Sequence, residues 1–226
     1  MSINYTKLTT PTQIELSPSR PATHTIIWLH GLGANGNDFV SIVPELTLPD
    51  PIAIRFVFPH APFRAISIYE GQRMRGWFDI HSRDIGRHVE KSDLDNSIEQ
   101  IREIINVEKE TLPPEKIILA GFSQGAAIAL ATGLTYPHTL GGVISLSGCL
   151  PHAETFFENN TANKKLPVLV THGTEDDILP VVLSEMTAAA LKEKEFPVTF
   201  HTYPMAHSVC HKEIQDISAW LKLHLV

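Results

Sequence analysis

The stretch "LAGFSQGAAIA", residues 119–129, sets Ser123 between Gly121 and Gly125. A serine hydroxyl is a weak nucleophile. It attacks a carbonyl only with a base to take its proton, an acid to orient that base, and donors for the oxyanion that forms. The Gly-x-Ser-x-Gly spacing meets part of this mechanically. A sharp turn from strand to helix lifts the hydroxyl clear of the backbone, and side chains at the flanking positions would collide with neighbouring main chain. The apolar "KIILA" before the motif and the helix-compatible "AAIALAT" after it supply that setting. An ordinary hydroxyl in a glycine-rich loop would have neither flank.

An acid and then a histidine should follow such a serine along the chain. "HGTEDDILP" offers Glu175, Asp176 and Asp177 in succession, and residue type alone does not choose among them. Adjacent carboxylates after a strand are usually solvated, so at least one of the three is structural. His207, in "YPMAHSVC", lies in a loop between a predicted strand and a predicted helix, free to reach Ser123; in a chain with twelve histidines the alternative is a surface loop residue. "HSVCH" also brings Cys210 and His211 near His207, but a zinc site needs three or four ligands and no second cluster has ligand spacing. No metal and no cofactor is expected. The oxyanion donors expected are the backbone N–H of Gln124, next after the serine, and that of Leu32 in "HGLG", where Gly31 and Gly33 let the loop come close to a substrate.

Those residues must be held by strands. "HTIIWLH" (24–30), "IAIRFVF" (52–58), "EKIILAG" (115–121), "GGVISLSG", "LPVLVTHG" and "PVTFHTY" (197–203) read as strands, several of them apolar on both faces. "TQIELS" adds a short alternating strand near the N-terminus. Helical spacing marks residues 92–110, with Ser92 or Asp93 as N-cap, then 123–137, about 180–194, and 211–225. "GLGANGNDFVSIVPEL" reads as a glycine-rich turn leading into a helix. Buried strands alternating with helices predict a mostly parallel central sheet covered by helices on both faces. In such a sandwich, ligands gather at the carboxyl ends of the strands, where "HGLG", "GFSQG", "HGTEDD" and "YPMAHSVC" all fall.

Composition narrows the function classes. At 226 residues with 43% hydrophobic content, the chain suits a single domain with a sizeable core. Its net charge of −7, from 18 basic and 25 acidic side chains, argues against nucleic acid as a partner. The mixed-sign run "HSRDIGRHVEKSDLD" (81–95) reads as a solvated loop leading into a helix. No signal-peptide run stands at the start, and no stretch approaches the roughly 18 apolar residues of a membrane span. Cys149 and Cys210 could form at most one disulfide, and neither sits in a CxxC pair. A cytoplasmic, reducing location is the simplest reading.

From about residue 22 to the C-terminus, the chain resembles the phospholipase/carboxylesterase family, which includes bacterial carboxylesterases and acyl-protein thioesterases. The resemblance rests on "WLHGLGANGNDF", "FPHAP", "MRGWFDI", "IILAGFSQGAAIAL", "GVISLSGCLP", "THGTEDDILP" and "YPMAHSVC", in family order and spacing. It implies an α/β-hydrolase fold without a large cap domain, and it selects Asp176 as the acid beside Ser123 and His207, with Leu32 and Gln124 as oxyanion donors. It also implies that residues 61–76 form an irregular, strongly twisted segment bordering an acyl-binding cleft, so that Met74, Trp77, Phe78 and Leu150 become candidate substrate-binding residues. On the residues alone, Met74, Trp77 and Phe78 read as core. "LSGCLP" departs from relatives with a larger aromatic near Gly148 and Cys149, so acyl-chain preference does not carry over.

The activity implied is a serine carboxylesterase acting on small-molecule or acyl-chain esters or thioesters. Acyl-protein thioesterase or lysophospholipase specificity is the alternative, and a catalytically idle ligand-binding relative the rival from another class. A peptidase on this fold would commonly need a cap or propeller for which the chain has no length. Dimers are common in the family, so a homodimer is among the partners implied.

Overall fold

The computed structural model describes residues 3–82, 89–158 and 165–225. Part of the 81–95 run, at 83–88, lies outside the described residues. Among the described residues there are ten strands: β1 (Tyr5–Thr9), β2 (Gln13–Pro18), β3 (His24–Leu29), β4 (Ile54–Pro59), β5 (Phe63–Ile66), β6 (Gln72–Arg75), β7 (Ile117–Phe122), β8 (Gly142–Leu146), β9 (Val168–Gly173) and β10 (Val198–Tyr203). Eight of them form one sheet in the order β1-β2-β4-β3-β7-β8-β9-β10. The first two ladders are antiparallel; from β4 to β10 every pairing is parallel. The mostly parallel α/β architecture predicted from the strand pattern is therefore the one observed.

The strands that carry the site are buried on both faces. Along β3, Ile27 and Leu29 join one core while Ile26 and Trp28 join the other. The first core lies under α1 (Lys91–Glu108), α2 (Gln124–Thr135), α3 (Ala153–Glu158) and α4 (Val181–Glu193). The second lies under α5 (His211–His224) and the 39–54 segment. Helix α1 shows why the spacing of its apolar residues was readable: Leu94, Ile98, Ile101 and Ile105 all point inward.

Three local expectations are corrected. The stretch "GLGANGNDFVSIVPEL" does not lead into an α-helix; with Pro44 inside it, it makes a 3₁₀ turn at Val40–Glu45. Helix α1 begins after Glu90, so Ser92 and Asp93 stand inside its first turn and neither caps it. The segment 61–76 is not irregular. β5 and β6 pair there as an antiparallel hairpin, a separate two-stranded sheet, and Arg64 on β5 is tied to Asp93 of α1. Among the described residues, no helix is long and apolar enough to cross a membrane.

Glu213, on the first turn of α5, is fully buried, and neither carboxylate oxygen has a well-formed hydrogen bond among the described residues. Burial pushes its carboxyl up to about 7, with Asp216 adding to the rise and Thr171 and the Cys210 amide opposing it. A carboxyl raised from 4.5 on folding stabilises fully below that value, and the benefit is lost as pH climbs through about 7. Urea unfolding should therefore show wild-type stability falling between about pH 4.5 and 7, by on the order of 1–3 kcal/mol. Glu213→Gln should flatten that fall.

Candidate active site

β7 ends at Phe122 and α2 starts at Gln124, so a single residue makes the turn between them. That residue, Ser123, has φ 56° and ψ −118°, a conformation held by its N–H donating to the Leu146 carbonyl (2.9 Å). A non-glycine residue there carries strain on the order of 1–3 kcal/mol. The flanking glycines are required by contact. A Cβ at Gly121 would stand 2.2 Å from the Gly125 carbonyl oxygen, and one at Gly125 would stand 2.4 Å from that of Leu29. The turn thus packs against the end of β3, and the loop after β3 runs beside it.

His207 arrives from the loop between β10 and α5. Its Nε2 lies 2.9 Å from Ser123 Oγ, and its Nδ1 lies 2.6 Å from Asp176 Oδ2. The Phe122 ring packs against the imidazole at 4.7 Å between centroids. Ser123 and His207 are half-buried, open to a substrate, whereas the Asp176 side chain is fully enclosed. Asp176 Oδ1 accepts from the backbone N–H groups of Ile178 (3.0 Å) and Leu179 (2.8 Å). Glu175 and Asp177 are exposed. Burial, which the sequence does not display, separates the three adjacent acids. Gly173 makes the approach possible: a Cβ on it would lie 2.2 Å from the Met205 carbonyl oxygen, driving the β9 exit away from the loop that carries His207.

The loop after β3 is fastened by His30. Its Nε2 accepts from the Ala61 N–H (3.0 Å), which leaves the proton on Nδ1, and Nδ1–H donates to the Gly31 carbonyl (2.7 Å). Burial holds this imidazole neutral by lowering it to about 4; the bond to Gly31 opposes the shift, while His60 and Arg75 add to it. The next N–H along is that of Leu32. Neither Leu32 nor Gln124 donates its backbone N–H to another described residue. The serine turn is also tied to the segment after β6, since the Gln124 side chain accepts from Trp77 N–H (3.0 Å) and donates to the Phe78 carbonyl (2.9 Å).

The candidate substrate residues separate. Trp77 and Phe78 are enclosed in the core, and Trp77 Nε1 donates to the His30 carbonyl (2.8 Å). They brace the loop from behind and do not line an open groove. Leu150 is also buried, its N–H donating to Thr187 (3.1 Å). Met74 is half-buried, with its sulfur near Gly33, on the side of the Leu32 loop. Cys149 and Cys210 are both free thiols, and burial pushes that of Cys149 up to about 11. Among the described residues, no cluster of three or more His, Cys, Asp or Glu is placed to hold a metal.

The profile of the Phospholipase/Carboxylesterase family matches residues 12–225. The chain belongs to that family. It is 36% identical over 214 residues to acyl-protein thioesterase 1 of Gibberella zeae, covering 90% of this chain and 91% of that one. Carboxylesterase SOBER1 of Arabidopsis thaliana is 33% identical over 205 residues, covering 88% and 90% of the two chains. The crystal structure of SOBER1 superposes with a TM-score of 0.84 at 33% identity, over 90% of this chain and 99% of that one. Acyl-protein thioesterase 2 of Zea mays gives a TM-score of 0.82 at 28% identity, over 95% and 99%. The fold is that of the α/β-hydrolases without a large cap, and the protein is a carboxylic ester hydrolase.

Sequence reasoning missed His30 and the Gln124 side chain as braces. His30 did leave a signal: a histidine closing an otherwise apolar strand and followed by glycine, a pattern repeated in "VTHG" at His172. Gly173→Ala should separate Asp176 from His207. We expect ester hydrolysis to fall by on the order of 10²-fold in kcat, as misplacements near 1 Å do. Steady-state kinetics on the folded variant checks this.

Proposed function

We propose that this ester hydrolase works through Ser123, His207 and Asp176, on the strength of one observation: an unbroken hydrogen-bonded line from Ser123 Oγ through the imidazole to a buried carboxylate. His207 Nε2 takes the serine proton as Oγ attacks the acyl carbon. Asp176 holds Nδ1–H and so fixes the tautomer, and its charge stabilises the imidazolium that forms. The N–H groups of Leu32 and Gln124 receive the oxyanion. The imidazolium then protonates the departing alcohol or thiol. Water, activated by the same histidine, releases the acid from the acyl-serine.

The substrate class is a carboxylic ester or thioester whose acyl chain passes the Leu32 loop on the side of Met74. Thioester hydrolysis is a second reading, favoured by relatives named acyl-protein thioesterase at 36% and 37% identity. Both leaving groups use one mechanism. Two free thiols, one of them deeply buried, are in keeping with a cytoplasmic place of action.

p-Nitrophenyl esters from acetate to palmitate, with a matching acyl-thioester series, test this reading. Wild type should hydrolyse some of them and Ser123→Ala none; the preferred leaving atom and chain length then define the substrate. Asp176→Asn should lower kcat by on the order of 10⁴-fold with the fold intact. An active Ser123→Ala, or an inert wild type, would overturn the assignment.

A further inference from the structure

Asp176 accepts from more than His207. His172, the penultimate residue of β9, is fully buried, and its Nε2 lies 3.1 Å from Oδ2, the same oxygen that receives His207. The Nε2 also lies 2.8 Å from the Leu179 carbonyl. A carbonyl only accepts, and an ionised carboxylate only accepts, so Nε2 must carry a proton. On the other side of the ring, Nδ1 meets Ser184 Oγ of α4 at 2.5 Å, and Ser184 in turn touches the Gly148 carbonyl. The Ser184 hydroxyl gives its one proton to the Gly148 carbonyl, and its oxygen meets Nδ1.

The titratable groups facing this ring are Asp176, from the exit of its own strand, and His207, from the loop after β10. α4 presents the neutral Ser184. Burial disfavours a charge on His172 and outweighs Asp176; His207 acts with burial. Around the Asp176 carboxylate stand two backbone amides donating to Oδ1, His207 Nδ1 on Oδ2, and His172 Nε2 at 3.1 Å from Oδ2, its one proton shared with the Leu179 carbonyl.

We infer that His172 is a positioning residue for hydrolysis, donating Nε2–H to Asp176 Oδ2 so that the carboxylate is locked in line with His207 and its charge is shared between two rings. The inference rests on the Ser123–His207–Asp176 reading. Ser184 sets the ring orientation from the opposite edge, so the chain of contacts runs from α4 through β9 to the nucleophile. The lock is also a moderator. A second donor on Oδ2 draws off charge that would otherwise hold a proton on His207, and a base that keeps its proton cannot activate Ser123.

The test is a comparison of His172→Phe, His172→Gln, Ser184→Ala and Ser123→Ala on one p-nitrophenyl ester, with pH profiles of kcat/KM and thermal melts. In His172→Phe, kcat should fall about tenfold or more, the scale on which orienting partners act, with KM changed less than about twofold. The acid limb of the profile should move to higher pH. His172→Gln, whose amide N–H can replace Nε2–H, should restore both kcat and the limb. A His172→Phe variant with wild-type kcat and an unmoved limb would overturn the inference. So would a matching loss in His172→Gln that follows melting temperature alone. Should His172→Phe not fold, Ser184→Ala decides: the limb moves the same way by less, or it stays at the wild-type position and the inference fails. Ser123→Ala separates the two levels. If it remains active, the triad reading itself falls. If it is inactive while the His172 and Ser184 variants behave as wild type, only the role of His172 falls.

Discussion

Everything in this active site depends on how closely the turn at Ser123 packs against β3. Two carbonyl oxygens occupy the space that a Cβ at Gly121 or Gly125 would need. The chain can therefore reverse within one residue, and the serine is left in a conformation few side chains adopt. The strain is borne by the surrounding sheet, whose β3, β7 and β8 strands are buried on both faces and cannot yield. Because the turn leans on the end of β3, the loop that follows β3 is brought alongside it. Ser123 and the Leu32 N–H, proposed as nucleophile and oxyanion donor, thus share a single packing constraint.

Around that turn, polar groups are organised by what each can donate or accept. Asp176 is enclosed, and each of its oxygens has N–H partners in place of water. His30, equally buried, is kept neutral and spends both ring nitrogens on backbone groups. Glu213 is the contrasting case, a fully buried carboxyl that burial pushes up to about 7 against the opposing pull of Thr171 and the Cys210 amide.

Much of this was legible from residue order. The central strands showed themselves as β-branched apolar runs, and the Gly-x-Ser-x-Gly turn followed by acid and histidine located Ser123 and His207. Choosing Asp176 over its neighbours needed family resemblance, since Glu175, Asp176 and Asp177 differ in burial and not in type. The hairpin of β5 and β6 escaped notice because its strands, "FRAI" and "QRMR", are short, charged and only partly buried, so they lack the apolar pattern that betrays a strand. Trp77 was ambiguous for a related reason: a large aromatic beside a cleft can face it or buttress it, and only the Nε1 bond to His30 decides. Pro44, in the stretch read as a turn leading into a helix, is the residue that speaks against a regular one there.

The hairpin also bears on how such enzymes diversify. It shares no ladder with the main sheet and joins the catalytic framework at a few defined points: Gly33 N–H to the Arg75 carbonyl, Gln124 to Trp77 and Phe78, and Arg64 to Asp93. Its turn is tied to the residues after β6, Ser67 to Asp79 and the Ile68 N–H to the Ile80 carbonyl, while the Tyr69 side chain is exposed. A substitution at exposed Tyr69 changes the turn's surface without touching the serine turn or the buried acid. Changes in what the enzyme accepts and changes in how it cleaves are then separate evolutionary variables, and lineages can drift in the first while the second is held constant.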